Sequence, residues 1–436
     1  MENGVRIILL IFGDILMLVT SFFIMLEISF WKNLSQHTIN NHTLPFIFVS
    51  LIWILVFFLF NIYETQSIKP TIPNLRMIGI ASLVAFTTSI IMFYVVQSFG
   101  IAPKTNLIIF SVVFIVLFLM WRRVFYNFFS IYFKKGVAFL TQQNKDDQSV
   151  DEIIKYIEAY PQSGFEVLGR YSSIGALRDA YGTKKIDTLI VSKNSLKEAR
   201  DLVLIYSTVE NILDLTHAYE NILSKIPVDS IDETWFLYNV QKKNTVFYSS
   251  IKSFVSGVVA LIILFVTFPF LLVVALCIKL YDNGPILYTQ ARVREGGKTF
   301  KLYKFRSMIT DSEKNGAVWA IKNDHRITPV GKIIRKLHLD EIPQMINILK
   351  GDISLVGPRP ERPEFVVELE NTIPHYSLRH IIKPGFTGWA QIKYRYANTA
   401  EDSKEKFQYD LYYIKNRNIF LDFGIILRTV QIIFTH

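Results

Sequence analysis

Four long apolar stretches, at about 5–26, 45–62, 77–97 and 106–121, dominate the first third of this chain. Each is near the roughly 20 residues that a helix needs to cross the hydrocarbon core of a bilayer. Backbone in lipid must satisfy its own hydrogen bonds, so these stretches are expected to be helices. Of the 436 residues 51% are hydrophobic, which fits a membrane protein carrying soluble parts. No small-residue cleavage site follows the first stretch, so it reads as a retained helix and not a signal peptide. The loops at about 27–44 and 98–105 carry one lysine each, and the loop at about 63–76 carries Lys69 and Arg76. Arg122, Arg123, Lys134 and Lys135 follow the fourth stretch. This bias places the N-terminus and everything from residue 122 onward in the cytoplasm. Asp14 lies inside the first stretch without a visible partner, and two readings stay open: a helix-packing hydrogen bond or a more active group.

The segment 136–245 reads as a small α/β domain. Strands are expected at 137–141, 165–168 and 188–191, and helices at 150–159 and 196–206. Gln142-Gln143-Asn144-Lys145 follows the first strand where a dinucleotide site would need a glycine-rich turn, so a structural or regulatory role is expected. The net charge of +10 suits anionic lipid or a phosphorylated substrate. No zinc-finger spacing or aromatic RNA-binding signature accompanies it, so no nucleic-acid partner is expected. The single cysteine, Cys277, allows no intrachain disulfide.

From about 254 to 279 the sequence is again almost uninterruptedly apolar. A plain span would export the rest of the chain, yet Lys279, Arg292, Arg294, Lys298, Lys301, Lys304 and Arg306 follow it. That charge opposes export. Pro269, in mid-run, removes a backbone hydrogen bond and kinks a helix. A re-entrant helix that bends at Pro269 and returns to the same face reconciles the two.

His338-Leu339-Asp340-Glu341-Ile342-Pro343-Gln344 reads as a helix start, with Leu337, Leu339, Ile342, Met345, Ile346 and Leu349 roughly on one face. Pro343 fits only a first turn, and Gly351 closes the helix. Gly357-Pro358-Arg359-Pro360 is a stiff turn presenting one guanidinium. Adjacent carboxylates in a first turn are usually surface groups that complement the helix dipole. Beside fixed arginines, they are also what chemistry on a phosphate could use.

Residues 246–436 resemble the catalytic domain of the bacterial sugar transferase family, the monotopic phosphoglycosyl transferases. Ordered blocks carry the resemblance: 284–290, 300–308, 326–328, 331–336, 339–344, 349–352, 357–360 and 383–391. Residues 1–135 as a four-helix membrane region and 136–245 as a cytoplasmic, degenerate nucleotide-binding-like domain resemble the long members of that family. The implied fold is therefore four transmembrane helices, a small α/β domain, and a re-entrant helix at about 254–279 joined to a compact, mostly helical catalytic domain with interfacial helices. The implied reaction moves a sugar-1-phosphate from a UDP-sugar to undecaprenyl phosphate with release of UMP. It starts lipid-linked glycan assembly at the inner membrane, for capsule, exopolysaccharide or O-antigen-like polymers.

The resemblance implies that Asp340 is the nucleophile of a ping-pong reaction and that Glu341, with Asp340, holds Mg²⁺. Lys304, Arg335, Arg359 and Arg395 match positions near the substrate phosphates, and Pro269 matches the proline of the re-entrant helix. The chemistry is sound by itself: a carboxylate can be a covalent nucleophile at phosphorus, Mg²⁺ bridges phosphate oxygens through one or two carboxylates, and arginine forks match phosphate geometry.

Three departures stand out. Phe268 precedes Pro269 where the family has serine, leaving Thr267 or packing to support the bend. His338 replaces serine or threonine and could cap the helix or touch the site. Lys393-Tyr394-Arg395-Tyr396 replaces a shorter turn. Phe407, Leu411, Tyr412 and Ile414, among lysines, and Ile419–Phe434 read as interfacial amphipathic helices, with core packing as the alternative. A homodimer is possible. The rivals are a polytopic prenyl-phosphate transferase, which needs around ten spans, and a catalytically inactive membrane scaffold that binds nucleotide sugar and recruits assembly partners.

Overall fold

A computed structural model describes residues 2–31, 34–96, 104–132, 134–141, 147–181, 186–192, 195, 206, 209–240, 245–310, 324–394 and 399–435. The chain forms two compact units, Met1–Leu215 and Thr216–His436.

The first unit opens with four long helices: α1 (Glu2–Phe30), α2 (Gln36–Leu59), α3 (Ile72–Val95) and α4 (Lys104–Asn127). Each is long and apolar enough to cross a membrane. Their inner faces share one core in which Phe46, Trp53 and Phe57 of α2 meet Phe110, Phe114 and Phe118 of α4, the rings mostly edge-on or tilted. Their outer faces are apolar too, with Ile8, Phe12, Leu83 and Ile91 exposed. Helices that are hydrophobic all round belong in lipid or inside a large core. Asp14 has a partner after all. Its Oδ2 accepts from Arg122 Nη2 at 2.8 Å across α1 and α4, and Arg122 Nη1 also donates to the Ile62 carbonyl at 3.2 Å. Both side chains are buried, so this is an interhelical ion pair that fixes helix packing, and Arg122 is not merely a flanking charge.

Four parallel strands follow, β1 (Lys135–Leu140), β2 (Phe165–Tyr171), β3 (Thr188–Val191) and β4 (Asn211–Asp214), in the order β2-β1-β3-β4. The apolar central strands β1 and β3 are buried along nearly their whole length, as parallel strands covered on both faces must be. Helices α5 (Asp147–Ala159) and α6 (Ile174–Tyr181) complete the described α/β layer. The strands and the first helix thus lie where expected, to within a few residues. β4 and α6 are additions, and the helix expected at 196–206 lies outside the described residues except for Tyr206.

In the second unit, α7 (Leu215–Leu223) and α8 (Glu233–Asn239) lead to α9 (Thr245–Asp282), a 38-residue helix assigned continuously through Pro269. Both limbs of α9 pack on the same domain. On the first, Ala260 joins the main core with Met345, Ile348 and Leu355, while Ser256 Oγ accepts from the Leu355 amide at 3.2 Å. On the second, Val274 and Ile278 pack with Phe305 and Ile334, and Leu271 and Leu339 border them. Between the limbs Phe265, Val266, Phe268 and Phe270 are exposed, Phe265 by 84%. Thr267 Oγ1 donates to the Ile263 carbonyl at 2.6 Å. Back-bonding of this kind bends helices slightly, so Thr267 lends hydroxyl support two residues before the Phe265 carbonyl that Pro269 leaves free.

An antiparallel hairpin, β5 (Leu287–Val293) and β6 (Thr299–Phe305), follows. Then come α10 (Pro329–Lys336), a 3₁₀ turn (Leu339–Glu341), α11 (Gln344–Leu349), β7 (Ser354–Val356) and α12 (Pro363–Thr372). β8 (Gly385–Thr387), paired parallel to β7, leads to α13 (Trp389–Lys393), α14 (Ala400–Asn416) and α15 (Ile419–Thr435). The last two helices differ in role. In α14, Phe407, Leu411 and Ile414 are at most 2% exposed and fill the domain core, so core packing, not a membrane surface, explains its amphipathic pattern. A capping box between Thr399 and Asp402 starts it. In α15, Ile425 is buried while Phe420 and Phe423 point outward.

Candidate functional site

The carboxylate pair sits in a tight turn. Asp340 and Glu341 occupy the 3₁₀ segment between α10 and α11, entered through His338 at φ 55°. This corrects the simple helix start, because only Gln344–Leu349 is α-helical. Met345 and Ile348 face the core, while Leu337 and Leu349 are exposed. His338 makes no side-chain cap bond and is exposed; its backbone makes the corner. Gly351, at φ 78°, ends the helix as expected. Leu339 borders the cluster built around Val274 and Ile278 of α9, so the second limb of the apolar helix supports the turn that carries Asp340.

Three of the expected residues meet directly. Glu341 Oε1 accepts from Lys304 Nζ at 3.0 Å and from Arg359 Nη2 at 2.5 Å. Its Oε2 has only a 3.4 Å contact with Arg359 Nη1. Burial opposes ionisation of Glu341, but Arg359 and then Lys304 outweigh it and hold its carboxyl far below the usual range. Asp340 is 9% exposed. Burial and then the Glu341 charge push its carboxyl above the usual value, against the pull of Lys304 and Arg335. Two neighbouring acids are thus driven apart, one firmly ionised and one holding its proton longer, which is how a site divides roles between like groups. Arg335 donates through Nε to Ser307 Oγ at 2.8 Å and acts on Asp340 through its charge, without an ion-pair contact to an acid among the described residues. Arg395 lies outside the described residues. Pro269 is not among these contacts; its helix reaches the turn through Leu339.

The scaffold beneath these groups was not legible as motif. Asn347, fully buried, clamps α11 to β6. Its Oδ1 accepts from the Tyr303 amide at 3.0 Å, and its Nδ2 donates to the Lys301 carbonyl at 2.7 Å. Lys304 is the next residue on that strand. Asn347→Ala would leave the Tyr303 amide and the Lys301 carbonyl, both part-buried, without this partner and would empty a buried site, each lost bond costing about 1–3 kcal/mol. We expect a loss of about 2–5 kcal/mol in a urea melt, with activity falling alongside.

The Arg359 turn is held from both sides. Arg292 Nη1 donates to the Pro360 carbonyl at 3.0 Å and Arg379 Nη2 to the Arg359 carbonyl at 2.9 Å. Arg379 is paired in turn with Asp410 at 3.0 Å. Burial pushes the Asp410 carboxyl up to about 6 against the pull of Arg379. The glycines of the 383–391 block explain themselves here. The Gly385 amide donates to the Pro358 carbonyl at 2.9 Å, and a side chain on Gly385 would stand 2.0 Å from the Gly357 nitrogen. On Gly388 it would meet the Gly357 oxygen at 2.2 Å. Only glycine lets these backbones approach so closely.

No group of three or more His, Cys, Asp or Glu among the described residues forms a protein-only metal cage. The adjacent carboxylates of Asp340 and Glu341, with Glu341 Oε2 loosely held, suit Mg²⁺ instead, which binds through one or two carboxylates plus phosphate oxygens.

The sequence profile of the bacterial sugar transferase family matches residues 247–436. A UDP-glucose:undecaprenyl-phosphate glucose-1-phosphate transferase of Klebsiella pneumoniae is 33% identical over 344 residues, covering 71% of this chain and 69% of that protein. A UDP-N-acetylgalactosamine-undecaprenyl-phosphate N-acetylgalactosaminephosphotransferase of Aeromonas hydrophila is 46% identical over 188 residues, 43% of this chain and 44% of its own length. A UDP-glucose:undecaprenyl-phosphate glucose-1-phosphate transferase of Escherichia coli K12 is 40% identical over 175 residues, 40% of this chain and 38% of its own. The chain thus spans less than half the length of two of these relatives.

Proposed function

Because this chain belongs to the bacterial sugar transferase family, we propose that it transfers a sugar-1-phosphate from a UDP-sugar to undecaprenyl phosphate at the cytoplasmic face of the bacterial inner membrane. The observation that carries this reading is the Asp340–Glu341 turn, with Glu341 held by Lys304 and Arg359 and with the Arg335 charge acting on Asp340. A carboxylate oxygen of Asp340 attacks the β-phosphorus of the donor. The bond from that phosphorus to the bridging oxygen breaks, and UMP leaves with the electron pair. An oxygen of the polyprenyl phosphate then attacks the same phosphorus and the Asp340 carboxylate departs unchanged. Splitting one hard transfer into two is the general benefit of a covalent nucleophile.

Arg335 and Arg359 offset the charge of the phosphates, and Arg359 and Lys304 keep Glu341 ionised and in place. Glu341 and Asp340 are the residues that would hold Mg²⁺, which, when bound, would neutralise diphosphate charge as the leaving group develops. The packing of both α9 limbs on one domain supports the re-entrant reading. A spanning helix would place those limbs on opposite sides of the bilayer. The retained charge after the helix supports the cytoplasmic orientation. The test is UMP release from a panel of UDP-sugars with undecaprenyl phosphate and Mg²⁺. Turnover with one donor, abolished by chelation, is expected. No turnover with any UDP-sugar, from protein that is folded, would refute the reading.

A further inference from the structure

A cleft in the C-terminal unit, of about 710 Å³, lies beside the first turns of α9. None of Lys304, Arg335, Asp340, Glu341 or Arg359 lines it. Lys252, Lys383 and Arg417 do. Lys252 is already satisfied, 3.1 Å from Asp422 and 3.2 Å from the Tyr248 hydroxyl. Lys383 and Arg417 are not. Both are partly buried, and neither has an acidic partner among the described residues. Ser250 and Ser253 add hydroxyls to the same wall, and the acidic lining residue, Glu295, is exposed. Two unpaired cations sharing a cleft repel each other until an anion enters. A guanidinium fork, an ammonium and hydroxyl donors together match the oxygens of a phosphate.

The surroundings indicate where that phosphate comes from. Phe247 is 77% exposed and Phe254 73% exposed on the helix that forms one wall. Phe420 and Phe423 are exposed just beyond Arg417, and Ile381, itself part of the lining, is also exposed. Basic groups ringed by outward-facing aromatic and aliphatic side chains are the arrangement of a surface seated in lipid headgroups. We propose that this cleft binds the phosphate of an anionic phospholipid headgroup, separately from the catalytic site, and so seats the domain on the membrane.

The test uses the full chain in nanodiscs of phosphatidylcholine with or without about 30 mol% phosphatidylglycerol, a composition chosen to give an anionic surface. Lipid retained after detergent extraction is read by native mass spectrometry. Wild type is expected to hold one phosphatidylglycerol in preference to phosphatidylcholine. The Lys383→Gln/Arg417→Gln double variant should hold it roughly 30-fold more weakly, while Lys298→Gln/Lys332→Gln, which removes two exposed charges elsewhere, should not. Arg417→Lys, a milder change, should retain part of the preference. Equal loss in both double variants would overturn the proposal, as would wild type without any preference. Inorganic phosphate retained by wild type in pure phosphatidylcholine as strongly as phosphatidylglycerol is retained would assign the cleft to a free anion and overturn the lipid source. The wild-type comparisons decide even if a variant fails to fold.

Discussion

Asp340→Asn is expected to cut UMP release by on the order of 10³–10⁶-fold, the range seen when a covalent nucleophile is removed. The fold should not suffer. The Asp340 carboxyl is raised in the folded state by burial and by the Glu341 charge. Whatever it contributes to stability is therefore present at low pH and lost as pH rises through its raised value. At neutral pH an ionised Asp340 is a burden that asparagine relieves, so the variant should melt at the same temperature as wild type or higher. The difference should close at pH below the ordinary carboxyl range, where both folded and unfolded states are protonated. The same shift predicts the acid limb of the donor half-reaction. The rate should fall as pH drops through a value above that of an ordinary aspartate, because only the carboxylate attacks. A variant that is both inactive and markedly less stable would point to Asp340 as a structural residue instead.

Glu341→Gln should behave in the opposite sense. Its carboxyl is depressed because Arg359 and Lys304 outweigh the burial that opposes ionisation. Its stabilisation is present above the ordinary carboxyl value and is lost as pH falls through the depressed one. Removing the charge leaves Lys304 and Arg359 facing each other without a counter-ion. Breaking a fully buried pair costs about 3–5 kcal/mol. Side-chain exposures of 19% for Lys304, 18% for Glu341 and 33% for Arg359 reduce this, so about 2–4 kcal/mol is expected at neutral pH. Activity should drop on the order of 10²–10³-fold through misplaced phosphate contacts. The stability gap to wild type should narrow in acid. A gap that widens as pH falls would contradict the assignment of Glu341 as the ionised partner.

The contrast between these neighbours shows what a sequence can carry. Asp340, Glu341, Lys304 and Arg359 could be named from ordered blocks because each block keeps its chemistry within a few residues. Their opposite ionisation could not, since it arises from Lys304 and Arg359 converging on one carboxylate from two other elements. Asn347, Arg292 and the Arg379–Asp410 pair were missed for the same reason, because each acts through backbone groups distant in sequence. Asp14 seemed alone because its partner, Arg122, lies 108 residues away. The pattern of Phe407, Leu411 and Ile414 gives a helix with one apolar face, but periodicity cannot say whether lipid or a protein core covers it. The apolar run around Pro269 carried its length and its proline openly. That both limbs serve one domain needed the packing of Ala260 and of Val274 to become visible.

The most direct test of the central claim is the mass of the intact enzyme after mixing with its UDP-sugar donor and Mg²⁺ in the absence of polyprenyl phosphate. The account predicts one equivalent of UMP and a protein heavier by one phosphosugar, attached at Asp340 and discharged when undecaprenyl phosphate is added. An unmodified protein, with UMP formed only when donor and acceptor are present together, would contradict it.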